Sequence, residues 1–393
     1  MLRQALSTIR VRAMQGVFLL CAVLLLPGCD GDDPIAPVPT VSGTVTVSAT
    51  GDPVSGARVS IGDLTVATGS DGRFELSGLS AGPATLRSVA TGFEDFETEI
   101  TVGGGRTTRD VPLTRIELFE FEEFAIHIPA SVSKVRTVVV ALGGPDTRGF
   151  AAGTPFGAPV PQVEASLQAL GQEFRNLAAS HGLAIFGTSL AAMANGAASD
   201  ELLLDAIEEA SGLSGRDEIA SAPVLVYGMS GGAAQGSGFT ARNPGRVVGL
   251  FLKVPAGIES LTVGDVLGVP TYMVQAELDA FVDNAALRAT FAANRRSGGL
   301  WALALEPGAP HHSLNPVQRE LTIEWMATIL DLRLDASAPQ PLLPIVESSG
   351  WLGDMNARSV VPWADYAGDP RSASWLPSQA TAEQWTAFIT NGS

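Results

Sequence analysis

Five residues, Gly228-Met229-Ser230-Gly231-Gly232, fit the pattern Gly-x-Ser-x-Gly. Such a segment can hold a serine on a sharp turn between a strand and a helix, with small neighbours that let the two elements pack closely. A serine so presented can attack an acyl carbon if a base takes its proton and an acid orients the base. The chain has four histidines: His127, His181, His311 and His312. His127 precedes the first core strand and His181 follows a helix, which suits packing or surface positions. His311 and His312 sit in a loop, Glu306 to Ser313, after the apolar run Trp301–Leu305. The segment Val274 to Val282 follows another apolar run and supplies Asp279, with Asp283 and Glu277 as alternatives. The expected set is Ser230 as nucleophile, His311 as base and Asp279 as acid, with His312 the alternative base and Asp283 the alternative acid. Adjacent histidines diverge on an extended strand, so no metal site is expected from His311 and His312.

The pentapeptide alone is weak, because the chain holds 43 glycines. Gly78-Leu79-Ser80-Ala81-Gly82 fits it equally well. Context separates the two. Ser230 follows the apolar run Val224–Tyr227 and precedes a helix-compatible stretch, whereas Ser80 lies between short alternating runs. Apolar runs of buried-strand length recur at Thr137–Leu142, Leu183–Gly187, Val224–Tyr227, Val247–Leu252, Thr271–Val274 and Trp301–Leu305. Helical spacing marks Val163–Ser180, Leu202–Ala210, Asn284–Arg296 and Val317–Leu330. Strands alternating with helices predict an α/β fold, a mostly parallel sheet with helices on both faces. Ser230, Asp279 and His311 would then each stand just beyond the end of one of these strands.

Residues from about 135 to 332 resemble an α/β-hydrolase, in the manner of secreted esterases of the polyhydroxyalkanoate-depolymerase and feruloyl-esterase type. The resemblance rests on the segment around Ser230, on the order Ser230, Asp279, His311, and on Gly308-Ala309-Pro310-His311, which is similar to that family's Gly-x-x-His ending. It implies an oxyanion hole formed by the N–H of Gly231 and an N–H in Leu142-Gly143-Gly144-Pro145-Asp146, with Gly144 the choice over Gly143. It also implies catalysis through an acyl-enzyme with no cofactor.

Ahead of this unit, from Val41 to about Thr114, the pattern is period two. Val41–Val47, Ala57–Ile61, Arg73–Leu76 and Glu97–Val102 alternate, with turn clusters between them. A small all-β sandwich follows from such spacing. Pro53-Val54-Ser55-Gly56-Ala57 and Gly69-Ser70-Asp71-Gly72-Arg73-Phe74 resemble the carboxypeptidase regulatory-like, transthyretin-like domain, which implies a spacer or binding accessory. The segment has no His, Cys, Trp, Tyr or Lys, so it carries no catalytic set.

The first residues read as an export signal. Arg3, Arg10 and Arg12 precede the apolar run Val17–Leu26, too short to span a bilayer. Leu26-Pro27-Gly28-Cys29 resembles a bacterial lipobox, which implies acylation of Cys29 and a lipid anchor in the membrane. Cys21 and Cys29 are the only cysteines, so cleavage leaves no disulfide, no cysteine nucleophile and no cysteine metal site. The division expected is 1–28 signal, 29–40 acidic and Pro-rich tether, 41–115 sandwich, 116–335 hydrolase, and 336–393 an extension that packs on the hydrolase or caps it. That extension holds four of the six Trp.

A formal net charge of -17 repels phosphate backbones, so nucleic acid is not an expected partner. With 46% hydrophobic and 17% charged residues, the chain is neither disordered nor fibrous. These readings converge on a lipid-anchored serine hydrolase of the cell envelope, on its periplasmic or extracellular face. Its expected substrate is a small-molecule or polymeric carboxylic ester. A serine peptidase or acyltransferase of the same fold, and a non-catalytic surface binding protein, are the alternatives.

Overall fold

Alternating side chains build the first unit. The computed structural model describes residues 37–144, 146–153, 161–189, 192–193, 196–258, 260–261, 264–335 and 341–391; the expected leader and Cys29 lie outside the described residues. Strands β1 (Thr40–Val47), β4 (Arg73–Ser77), β7 (Arg106–Thr108) and β8 (Val111–Leu113) form one sheet. A second holds β2 (Arg58–Ile61), β3 (Leu64–Ala67), β5 (Gly82–Val89) and β6 (Phe96–Val102), in the order β3-β2-β5-β6. Every second residue of β4 points inward, so Phe74 and Leu76 join Val41, Val45, Val59, Leu86 and Val111 in one sandwich core.

The second unit opens with a hairpin, β9 (Leu118–Phe121) and β10 (Phe124–His127). Strands β11 (Thr137–Gly143), β12 (Leu183–Thr188), β13 (Val224–Met229), β14 (Val247–Lys253), β15 (Thr271–Ala276) and β16 (Trp301–Glu306) complete an eight-stranded sheet. Its order is β16-β15-β14-β13-β11-β12-β10-β9. Pairing is parallel from β16 to β12, and β10 runs antiparallel to both its neighbours. Numbered within the sheet this is 1-2-4-3-5-6-7-8 with strand 2 reversed, the α/β-hydrolase fold. β11, β12, β14 and β15 are buried along their whole length, because helices cover both faces.

Those helices follow their strands in turn. They are α1 (Arg148–Ala152), α2 (Pro161–His181), α3 (Ala197–Ser214), α4 (Glu218–Ser221), α5 (Gly231–Arg242), α6 (Asn284–Arg296) and α7 (Pro316–Arg333). Leu170, Phe174, Trp325 and Ile329 of α2 and α7 pack on one face with Tyr227, Phe251 and Tyr272 of the sheet. Leu203, Ile207, Phe239, Leu287 and Phe291 of α3, α5 and α6 pack on the other.

The last fifty residues close the edge at β16. Strands β17 (Trp351–Asp354), β18 (Ser359–Pro362) and β19 (Ser374–Leu376) make a small antiparallel sheet, and α8 (Gln379–Asn391) follows. The Ser374 hydroxyl donates to the Leu303 carbonyl and accepts from the Leu303 N–H, each at 3.0 Å. Trp385 Nε1 donates to the same carbonyl at 2.8 Å. The buried guanidinium of Arg295 donates to the carbonyls of Ala373 and Pro370, both at 2.7 Å, and pairs with Glu347 at 3.1 Å. The edge strand's free polar groups are thus answered by side chains rather than by a further strand.

Candidate active site

The sheet reverses its winding between β11 and β13, and α/β folds open their ligand crevices outside the strand ends at such a point. Ser230 stands there, between the end of β13 and the first residue of α5. Its backbone adopts φ 52 and ψ -122, a conformation side chains resist. The strain is held by backbone bonds on both sides: the Ser230 N–H donates to the Lys253 carbonyl at 3.0 Å, and the Ser230 carbonyl accepts from Ala233 at 3.0 Å and Ala256 at 3.3 Å. Gly232 is needed for close approach. A Cβ there would lie 2.3 Å from the carbonyl carbon of Leu142 and 2.5 Å from the Gly143 nitrogen. The loop after β11 is therefore pressed against the start of α5, so Gly144, with φ 56, and Gly231 come from two segments in contact.

The Ser230 hydroxyl donates to His311 Nε2 at 2.8 Å, and His311 Nδ1 donates to Asp279 Oδ2 at 2.7 Å. Asp279 and His311 are almost wholly buried. The other carboxylate oxygen, Oδ1, accepts from the N–H groups of Phe281 at 2.8 Å and Val282 at 3.2 Å. That pair of bonds fixes the carboxylate in one orientation, and the carboxylate fixes the imidazole tautomer. The arrangement can draw a proton from the serine hydroxyl and hold the resulting imidazolium beside an anion.

The alternatives land elsewhere. Asp283 is the N-cap of α6: its Oδ1 accepts from Ala285 at 2.9 Å and Ala286 at 3.0 Å, so it faces that helix and not His311. His312 is exposed and lies edge-on to the His311 ring at 4.9 Å between centroids. Glu277 accepts from the Gly308 N–H at 2.7 Å, which ties the acid loop to the histidine loop. Ser80 is exposed in the turn between β4 and β5. His127 is in β10, where burial pushes its imidazole pKa below the ordinary value. His181 ends α2.

Three residues that the sequence reading passed over lie beneath this line. Lys253 ends β14 and Glu306 ends β16, on either side of the strand that leads to Asp279. Both are fully buried, and Lys253 Nζ donates to Glu306 Oε2 at 3.1 Å. Burial pushes the ammonium pKa down, against the opposing pull of Glu306 and Asp279. Glu306 Oε1 accepts from the Ser313 hydroxyl and from Asn315 Nδ2, the latter at 2.8 Å. The carboxylate therefore grips both the buried ammonium and the loop that carries His311. Next in the chain, Val254 is buried with φ 41, and a β-branched residue seldom adopts that conformation. One signal was available for two of the three: a charged residue closing an otherwise apolar strand, and in Lys253 one of only two lysines in the chain.

Residues 40–114 match the model of the carboxypeptidase regulatory-like domain. No curated protein matches the chain. Among solved structures, the chain is similar to the Bacillus anthracis TIE protein at 16% identity, over 20% of this chain and 17% of that one, with a TM-score of 0.19. It is similar to a predicted CIB-like hydrolase from Thermoplasma acidophilum at 16% identity, over 54% of this chain and 96% of that one, with a TM-score of 0.36. For esterase PE8 the identity is 14%, the coverage 55% and 100%, and the TM-score 0.37. The chain spans between 17% and 56% of the length of the first four solved structures it matches. Among the described residues, no group of His, Cys, Asp and Glu is arranged to hold a metal ion, and no helix is long and apolar enough to cross a membrane.

Proposed function

We propose that this protein is a serine hydrolase acting on carboxylic esters. The observation that carries the reading is the unbroken line from Ser230 Oγ through His311 to Asp279, at 2.8 and 2.7 Å, with Ser230 on a strained turn at the mouth of a parallel sheet. In this reading His311 takes the Ser230 proton as Oγ attacks the ester carbonyl. The oxyanion is held by the N–H of Gly231 and that of Gly144, and removal of one such donor from a hydrolase of this kind costs about 3–4 kcal/mol. Collapse expels the alcohol, which receives its proton from His311 and leaves the acyl group on Ser230. Water, deprotonated by the same imidazole, then releases the acid.

A fluorophosphonate probe tests this. It should label the wild type and fail to label Ser230→Ala; an unlabelled wild type would leave only a non-catalytic role. Turnover of p-nitrophenyl esters without cleavage of peptide amides supports an esterase, and the reverse result makes the protein a peptidase. The anchor is a separate part of the proposal: acylated Cys29 tethers the enzyme to the cell envelope, facing away from the cytoplasm. Cys29→Ala should move the protein from washed membranes to the soluble fraction with turnover intact.

A further inference from the structure

A cavity of about 210 Å3 opens between the segment after β14 and the start of α6. Both of its walls are tied to the line just described. On one side Ala256, a wall residue, donates its N–H to the Ser230 carbonyl at 3.3 Å. On the other, Phe281 and Val282 donate theirs to Asp279, and the Phe281 ring lies 5.1 Å from the His311 ring. Pro255, Ile258, Val282 and Leu287 give the interior an apolar lining. The one carboxylate of the lining, Asp283, is already bound to the first N–H groups of α6. A second observation points the same way. Phe281, which lines the cavity, is 76% exposed, and Leu278, on the other side of Asp279 in the chain, is 64% exposed. Large apolar side chains kept in water beside a reactive serine gain nothing for folding, and are covered when an apolar substrate arrives.

We propose that this cavity is a substrate subsite that seats a short, uncharged, apolar arm of the ester, of the size of a branched alkyl chain or a single phenyl ring, with Phe281 as its outer wall. The inference rests on the serine-hydrolase reading and names the substrate class for it. Size sets one limit: an apolar hole of about 150 Å3 holds benzene, so about 210 Å3 admits little more than a ring with a methyl group. Charge sets another. The Asp283 carboxylate at the rim and the chain's net charge of -17 oppose an anionic arm. The arm can belong to the acid or to the alcohol of the ester, since both radiate from the carbon that Ser230 attacks.

Two ester series separate these sources on the intact chain. p-Nitrophenyl esters from acetate to octanoate, with benzoate, vary the acid; acetates from methyl to hexyl, with benzyl, vary the alcohol. In one series kcat/KM should rise by about 10-fold or more up to the arm that fills the cavity and then fall, since each methylene in an apolar pocket is worth roughly that factor. Ala286→Phe, on the exposed face of α6 that lines the cavity, should shift the optimum to shorter arms. Val282→Ala should shift it to longer ones. Opposite shifts in the same series support the subsite and say which arm it holds. Wild-type profiles retained by both variants in both series overturn it, as does a preference for carboxylate-bearing arms; fluorophosphonate labelling of Ser230 then shows that only the subsite has failed. A wild type that is neither labelled nor active on any ester overturns both readings.

Discussion

The chain presents the pattern Gly-x-Ser-x-Gly twice, and the two regions share little beyond those letters. At Ser80 the segment turns from one strand into another at the surface of a sandwich whose ion pairs, among the described residues, are all exposed: Arg73 with Asp71, Arg87 with Asp95, Arg106 with Glu75. At Ser230 it links a buried parallel strand to a helix, and the charges nearby are Asp279, Lys253 and Glu306, all out of water. The glycines differ as well. A Cβ at Gly78 or Gly82 would meet nothing within 4 Å, whereas one at Gly228 or Gly232 would strike backbone. What sets Ser230 apart from Ser80 is the packing around the serine and not the pentapeptide.

The comparison breaks most readily at the hydroxyls. Ser230→Ala should lower kcat by about 10^4-fold or more, the scale of nucleophile removal in serine hydrolases. Ser80→Ala should stay near wild type, and equal rates for the two variants in one ester assay would erase the distinction. The carboxylates come next. Asp279→Asn should cost about 10^4-fold in kcat, because an amide at that position selects the wrong imidazole tautomer. Asp283→Asn should keep its rate, since asparagine caps a helix about as well as aspartate.

Buried and exposed charges give the third contrast. Lys253→Met leaves Glu306 in the interior without its cation, and should lower stability by about 3–5 kcal/mol in a denaturant titration. Arg106→Gln breaks an exposed pair and should leave the unfolding midpoint within the scatter of the measurement. Among the glycines, Gly232→Ala forces the loop after β11 away from Gly231 and should lower kcat/KM by about 100-fold, the cost of roughly 1 Å of misplacement. Gly82→Ala has room for its methyl and meets only the resistance of φ 131, so its rate should not change.

The smallest effect is one of pH. Burial, more than the opposing Glu117, holds the folded pKa of His127 below 6.5. Between that lowered value and 6.5 the unfolded chain binds more protons than the folded one, so stability rises with pH across this window and is lost as the pH falls through it. Melting temperatures between pH 7.5 and 5.5 should therefore decline less steeply for His127→Gln than for the wild type.

The residues that betrayed themselves in the sequence are those obeying one strong local rule. Runs such as Val138-Val139-Val140 have to be buried on both faces, and all six parallel strands could be read from such runs. Asp279 and His311 were legible because each follows one of them. The hairpin of β9 and β10 was silent: its turn is Glu122-Glu123, with φ 46 at Glu122, where such turns favour asparagine and glycine. The three strands of the last fifty residues are three or four residues long, too short to show a period. The buried pair of Lys253 and Glu306 needed the sheet order itself, because β15 stands between the strands that bring them together.

Closure of the β16 edge sets a schedule for making the protein. Leu303 obtains its hydrogen-bond partners from Ser374 and Trp385, which lie 71 and 82 residues further along the chain. A chain emerging from its N-terminus can assemble the sandwich and most of the large sheet while β16 still offers an open edge to any passing strand. The final helix ends that exposure. Trp385 in that helix is made 82 residues after Leu303, so the interval before it arrives is the period in which this protein is most prone to pair with its own copies, and the length of chain between β16 and α8 fixes how long that interval lasts.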